Sequence, residues 1–122
     1  MNEPFSISSE RLAGTLALVV LTGEVDIYTA PRFRECMIEL LDAGVDRLVI
    51  DLSGVTFIDS TALGVLVGTH RSLAAGERLA IACSHPDVLN IFELTGLDAT
   101  FDIFSTFDDA LAYARGGAVA AD

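Results

Sequence analysis

Apolar and polar positions divide the chain into short, separable elements. Phe5-Ser6-Ile7-Ser8 alternates, and Thr15 to Thr22 is a β-rich apolar run, with Ala13-Gly14 between them. That pattern predicts a hairpin whose second strand is the more buried. Gly23-Glu24-Val25-Asp26 reads as a polar connection. Phe33, Cys36, Met37, Leu40 and Leu41 fall at i, i+3, i+4, i+7 and i+8, one stripe of an amphipathic helix. Thr29 is its expected N-cap, Pro31 lies near its first turn, and Gly44 stops it. Glu35, Glu39 and Asp42 take the wet side.

Arg47 to Leu52 is a continuous apolar strand of the kind buried in parallel sheets. Ser53-Gly54 is expected to break it, Val55 to Ile58 to be a brief extended run, and Asp59-Ser60 to open a helix reaching about Ala75. Leu79 to Cys83 reads as another strand, and Pro86 to Thr95 as a helix closed by Gly96. Phe101 and Ile103 alternate briefly. Thr106 with Asp109 resembles a capping box that opens a last helix, with Phe107, Ala110, Leu111 and Ala114 inward. Strand, helix, strand over 47–83 is a βαβ unit, so its two strands should be parallel. The expected fold is α/β: one domain over residues 1–115, a small mixed sheet of four to five strands with four helices. Residues 116–122 read as a flexible tail.

Composition narrows the function. Among 122 residues, 18 are acidic and seven basic, a net charge of −11, and all seven bases are Arg. Such a field repels phosphate backbones and anionic headgroups, so nucleic acid and membrane surfaces are poor partners. A hydrophobic share of 52% is too high for a disordered chain. Cys36 and Cys83 form neither a CxxC pair nor a zinc pattern and read as reduced, buried thiols. The start, Met1-Asn2-Glu3-Pro4, lacks the basic, apolar character of a signal peptide, and no apolar run is long enough to span a bilayer. A cytoplasmic location is expected.

The informative stretch is Asp59-Ser60-Thr61-Ala62-Leu63-Gly64-Val65-Leu66-Val67-Gly68. It sets a carboxylate and two hydroxyls at a helix start, where unpaired N–H groups and about half a positive charge favour an anion such as phosphate. Leu63, Leu66, Val67 and His70 share a face, whereas Val65 lies roughly 200° from Leu63. A helix apolar all round is either buried on two sides or presents an apolar patch to a partner. The plain structural alternative is that Asp59 or Ser60 is only a cap and the glycines only allow close helix–sheet packing.

Three segments together resemble the anti-sigma-factor antagonists, the small bacterial proteins that define the STAS domain. They are Gly23-Glu24-Val25-Asp26 with Thr29-Ala30; Asp51-Leu52-Ser53-Gly54-Val55 leading into Phe57-Ile58-Asp59-Ser60-Thr61; and Leu63-Gly64-Val65-Leu66. Ile91-Phe92-Glu93-Leu94-Thr95-Gly96-Leu97 adds support. The resemblance implies a partner switch. The unphosphorylated antagonist binds an anti-sigma factor that is also a serine kinase, and a sigma factor is released. The kinase then phosphorylates the serine after the motif's Asp, here Ser60, and a phosphatase resets the switch. By the same resemblance Asp26, Asp59, Thr61, Ala62, Leu63, Gly64 and Val65 form the partner-binding segment, with no cofactor or metal. One position departs from the family motif: Ala62 stands where Gly is usual, and its methyl could obstruct a kinase.

An enzyme reading would need a base for Ser60. His70 is ten residues on, about 15 Å along one helix and rotated by roughly 80°. His85 precedes Pro86 and reads as a surface or capping residue. No nucleophile elbow or metal-ligand cluster is present. The stronger alternative is a STAS module that works without phosphorylation, as a scaffold or small-anion binder.

Overall fold

The computed structural model describes residues 4–116. Strands β1 (Ser6–Ala13) and β2 (Leu16–Val25) form the antiparallel hairpin. There follow α1 (Ala30–Asp42), β3 (Arg47–Ile58), α2 (Ser60–Ser72), β4 (Arg78–Ala82), α3 (Pro86–Thr95), a 3-10 turn (Leu97–Ala99), β5 (Asp102–Phe104) and α4 (Phe107–Ala114). The sheet order is β1-β2-β3-β4-β5, with every pair after the first parallel. It is the mixed α/β sheet with four helices that the periodicities predict.

The three crossovers from β2 to β5 all step the same way across the sheet. Crossovers of one hand stepping in one direction must place their helices on one face. The main core accordingly joins Phe33 and Met37 of α1, Leu63 and Leu66 of α2, and Val88 and Phe92 of α3 to Val19, Leu21, Leu48 and Ile50 of the sheet. On the opposite face α4 packs Ala110 and Ala114 on Leu16, Val49, Ala80 and Ala82. Cys83 is buried and Cys36 half-buried, and burial pushes both thiols above their ordinary range.

Four boundaries differ from the pattern-based expectation. Gly23-Glu24-Val25 is not a connection: it extends β2, pairing with Val55, Phe57 and Ile58. Ser53-Gly54 does not break β3 either. The strand absorbs an extra residue twice against β2, between Val20 and Thr22 and again between Gly23 and Glu24, and so bends without ending. Gly54 is required there, because a Cβ would come within 2.9 Å of Thr22 Cγ2. Helix α2 stops at Ser72, three residues early, since Leu73 turns extended (φ −82°, ψ 135°) and Gly76 takes the left-handed turn at φ +89°. β1 is longer than its alternating start, because its backbone pairs with β2 from Ser6 to Ala13; Arg11, donating to the carbonyls of Gly14 and Ala43 (3.2 and 2.7 Å), ties the hairpin to the end of α1. The expected tail begins at Gly116, and residues 117–122 lie outside the described residues.

Helix α4 is fastened at its far end by one polar cluster. Tyr113 Oη donates to Asp102 Oδ2 (2.7 Å), while Arg78 donates to the Tyr113 carbonyl (2.7 Å) and covers its ring at 4.8 Å. The hydrogen bond to Asp102, then burial, raises the Tyr113 pKa above the ordinary value. A raised phenol pKa means that the neutral form is favoured in the folded state. Its stabilisation is complete below about pH 10 and is lost as pH climbs through the raised value. Tyr113→Phe should therefore cost under ~1 kcal/mol at neutral pH, the bond being exposed. It should also remove part of the parent's alkaline loss, as denaturant melts from pH 7 to 11 will test. Equal alkaline slopes in the two proteins would exclude Tyr113 ionisation as a source of that loss.

Candidate functional site

Val25 and Ile58 are paired neighbours on parallel strands, so the residues that follow them emerge side by side at the carboxyl edge of the sheet. A backbone bond from Asp59 N to the Val25 carbonyl (3.2 Å) fastens the two exits together. This brings the Asp26 loop beside Asp59-Ser60.

Each exit is organised by a carboxylate. Asp26 Oδ1 accepts from the N–H groups of Tyr28 (2.9 Å) and Thr29 (3.1 Å). Thr29 occupies the N-cap position of α1 but does not cap it: its hydroxyl donates to the Glu24 carbonyl (3.1 Å) and accepts from Asp26 N (2.9 Å). At α2 the cap is Asp59, whose Oδ1 accepts from Thr61 N (2.9 Å) and Ala62 N (3.1 Å). Two consequences follow for Ser60. It is exposed, and among the described residues its hydroxyl makes no hydrogen bond, so the fold does not use it. Asp59 already occupies two of the first amides of α2, those of Thr61 and Ala62, which leaves less of this terminus to a small anion.

The segment expected to bind a partner divides sharply by exposure. Gly64 is exposed, and Asp26, Asp59 and Thr61 are half-exposed. Ala62, Leu63 and Val65 are only 1%, 8% and 5% exposed, so they chiefly shape the helix from within. The Ala62 methyl therefore points into the core and away from the surface beside Ser60. Val65 is buried on the side facing α1, so the all-apolar helix is buried on two sides. Nor do the glycines serve helix–sheet packing. Gly64 and Gly68 are exposed, and an added Cβ would meet nothing within 4 Å at either. Each costs α2 about 1 kcal/mol relative to Ala without any packing return inside the molecule.

Sequence reasoning missed three residues at this edge. Ile27 is 62% exposed, Tyr28 86% and Phe57 43%. The signal was present: Ile27-Tyr28 is a pair of large apolar side chains inside a turn, and Phe57 occupies a wet position three residues before Ser60. The histidines lie elsewhere in role. His85 Nδ1 caps α3 by accepting from Asp87 N (3.2 Å), and His70 stacks edge-on against Phe101. Among the described residues no group of three His, Cys, Asp or Glu could hold a metal ion, and no helix is long and apolar enough to cross a membrane.

These features define a class. Residues 7–110 match the STAS domain, and the chain belongs to that family. It is 34% identical over 104 residues to the anti-sigma-F factor antagonist RsfB of Mycobacterium tuberculosis, covering 85% of each chain. It is 38% identical over 86 residues to the anti-sigma-B factor antagonist of Bacillus subtilis, covering 70% of this chain and 78% of that one. The crystal structure of an anti-sigma factor antagonist from Mycobacterium paratuberculosis superposes with a TM-score of 0.85 at 31% identity, over 92% of this chain and 95% of that one.

Proposed function

We propose that this protein is a cytoplasmic anti-sigma-factor antagonist whose partner is an anti-sigma factor with serine-kinase activity. Unphosphorylated, it binds that partner through the edge formed by Asp26, Ile27, Tyr28, Phe57 and Ser60, and a sigma factor is released. Phosphorylation of Ser60 ends the complex, and a phosphatase restores it. The observation that carries the reading is the division of labour at the start of α2: Asp59 caps the helix and leaves the adjacent Ser60 hydroxyl exposed and unengaged. The names of the relatives support the antagonist part of this reading.

The physics of the switch follows from the same geometry. A phosphoserine adds about two negative charges. With the amides of Thr61 and Ala62 held by Asp59, the phosphate meets few open donors at the helix end. It projects outward, where a partner must desolvate it. The dipole gain of up to ~1–2 kcal/mol is opposed by repulsion from Asp59, so the fold itself changes little.

Incubation with ATP and the cognate kinase should place a single phosphate on Ser60, located by peptide mass spectrometry. The phosphoprotein should melt within about ten degrees of the parent. Phosphate only on Thr61 or Ser53 would sink the assignment, and a larger fall in melting temperature would make the switch an unfolding event.

A further inference from the structure

Between α1 and α2 runs a groove that neither the capping of α2 nor the core explains. A hollow of about 320 Å³ is lined by Met37, Ile38 and Leu41 on one wall and by Gly64 and Gly68 on the other. A second hollow of about 250 Å³ shares Arg34 and Val65 with it and reaches Thr61, next to Ser60. The groove therefore continues the proposed partner edge along α2 for about three turns.

Its two walls differ in a way that specifies an occupant. The α2 wall is bare backbone at Gly64 and Gly68, where a side chain would have open space. A wall of this kind admits another backbone at close range, as small residues do between packed helices. The α1 rim carries Ile38, 50% exposed, and places Glu35 and Asp42 on the same line. Those two acids are seven residues apart, two turns or about 10.5 Å. Arg34 stands at the Ser60 end, where the carboxyl terminus of a docked helix would face it favourably. A second copy of this chain fits poorly, because each copy carries a net charge of −11.

We infer that the α1–α2 groove receives an amphipathic helix of the partner, apolar toward Ile38 and the two glycines, with two basic residues two turns apart over Glu35 and Asp42. The inference rests on the proposed function only for the partner's identity as an anti-sigma factor. It gives recognition a second anchor, extending along α2 from the phosphorylated hydroxyl.

The test is a titration of the full-length, isotope-labelled protein with a stapled, roughly four-turn helical peptide carrying apolar residues on one face and two lysines seven apart. Amide resonances of Ile38, Gly64 and Gly68 should shift in a saturable way. Glu in place of the lysines should weaken binding at least about tenfold, and so should Gly68→Leu, which fills the groove. Gly68→Leu should fold at least as well as the parent, leucine being the better helix former; Ile38→Glu provides a second variant with the same expected loss. Absence of shifts at those amides, or unchanged affinity in both groove variants, overturns the groove while leaving the Ser60 switch standing. Failure of the Ser60 switch against the intact anti-sigma factor, with peptide binding as described, leaves the groove standing.

Discussion

Ser60→Asp is expected to bind the anti-sigma factor at least about a hundredfold more weakly than Ser60→Ala, measured by calorimetry or surface plasmon resonance. The alanine variant loses very little. The Ser60 hydroxyl makes no hydrogen bond among the described residues and Asp59 holds the cap, so the usual cost of removing a capping hydroxyl does not arise. Ser60→Ala should bind the anti-sigma factor like the unmodified protein and, lacking the phosphorylation site, never release it. The aspartate variant introduces a carboxylate beside Asp59, which already holds the amides of Thr61 and Ala62. Burying it unpaired in an interface costs several kcal/mol, and each 1.4 kcal/mol is about tenfold in affinity. Aspartate carries less charge than phosphate and is shorter, so the phosphoprotein should bind more weakly still. Equal binding by the two variants would place Ser60 outside the interface and favour a scaffold role.

The fold was legible where one period dominated a segment. The stripe from Phe33 to Leu41, the apolar strand around Leu48-Val49-Ile50 and the Thr106–Asp109 cap all gave elements that the structure contains. Legibility failed where backbone pairing overrode composition. Gly23-Glu24 and Ser53-Gly54 are turn-like residues by type, yet β2 and β3 pair straight through them. The misfit is taken up in the two register shifts, and the close approach at Thr22 explains Gly54. No single-segment pattern reports that, because it depends on which strand lies alongside.

The site was legible to a similar degree. Ser60 and Asp59 stood out as chemistry at a helix start. What the sequence could not settle was which of the two capped the helix, and that distinction decides whether the hydroxyl is free. Exposure was the other gap. Ala62, Leu63 and Val65 belong to the motif but face inward, whereas Ile27, Tyr28 and Phe57 lie outside its central run and face out. A motif records what a family needs at a place in the chain, and packing and contact needs are mixed within it.

That gap yields the second large expected effect, in the double variant Tyr28→Ala/Phe57→Ala. Large aromatic side chains held rigidly before binding make the strongest interface anchors, because little entropy remains to be lost. Tyr28 meets the condition in its backbone, whose N–H is fixed to the Asp26 carboxylate at 2.9 Å, and its ring, 86% exposed, has only two torsions left to order. Phe57 meets it too, being 43% exposed on a strand paired with Glu24 of β2. Each single truncation should weaken the complex at least about tenfold, and the double variant at least about a hundredfold, with coupling between the two allowed for. Stability should barely change, because neither ring is buried in the free protein and the turn is held by Asp26 and Thr29. Leu94→Ala is the control: it removes a side chain 77% exposed on α3, whose end lies at the opposite edge of the sheet from Ser60. Affinity of the double variant within twofold of the parent, or an equal loss in Leu94→Ala, would remove the aromatic pair from the interface. A loss confined to the double variant, with an unchanged melting temperature, would place the Asp26 loop and the end of β3 against the anti-sigma factor alongside Ser60.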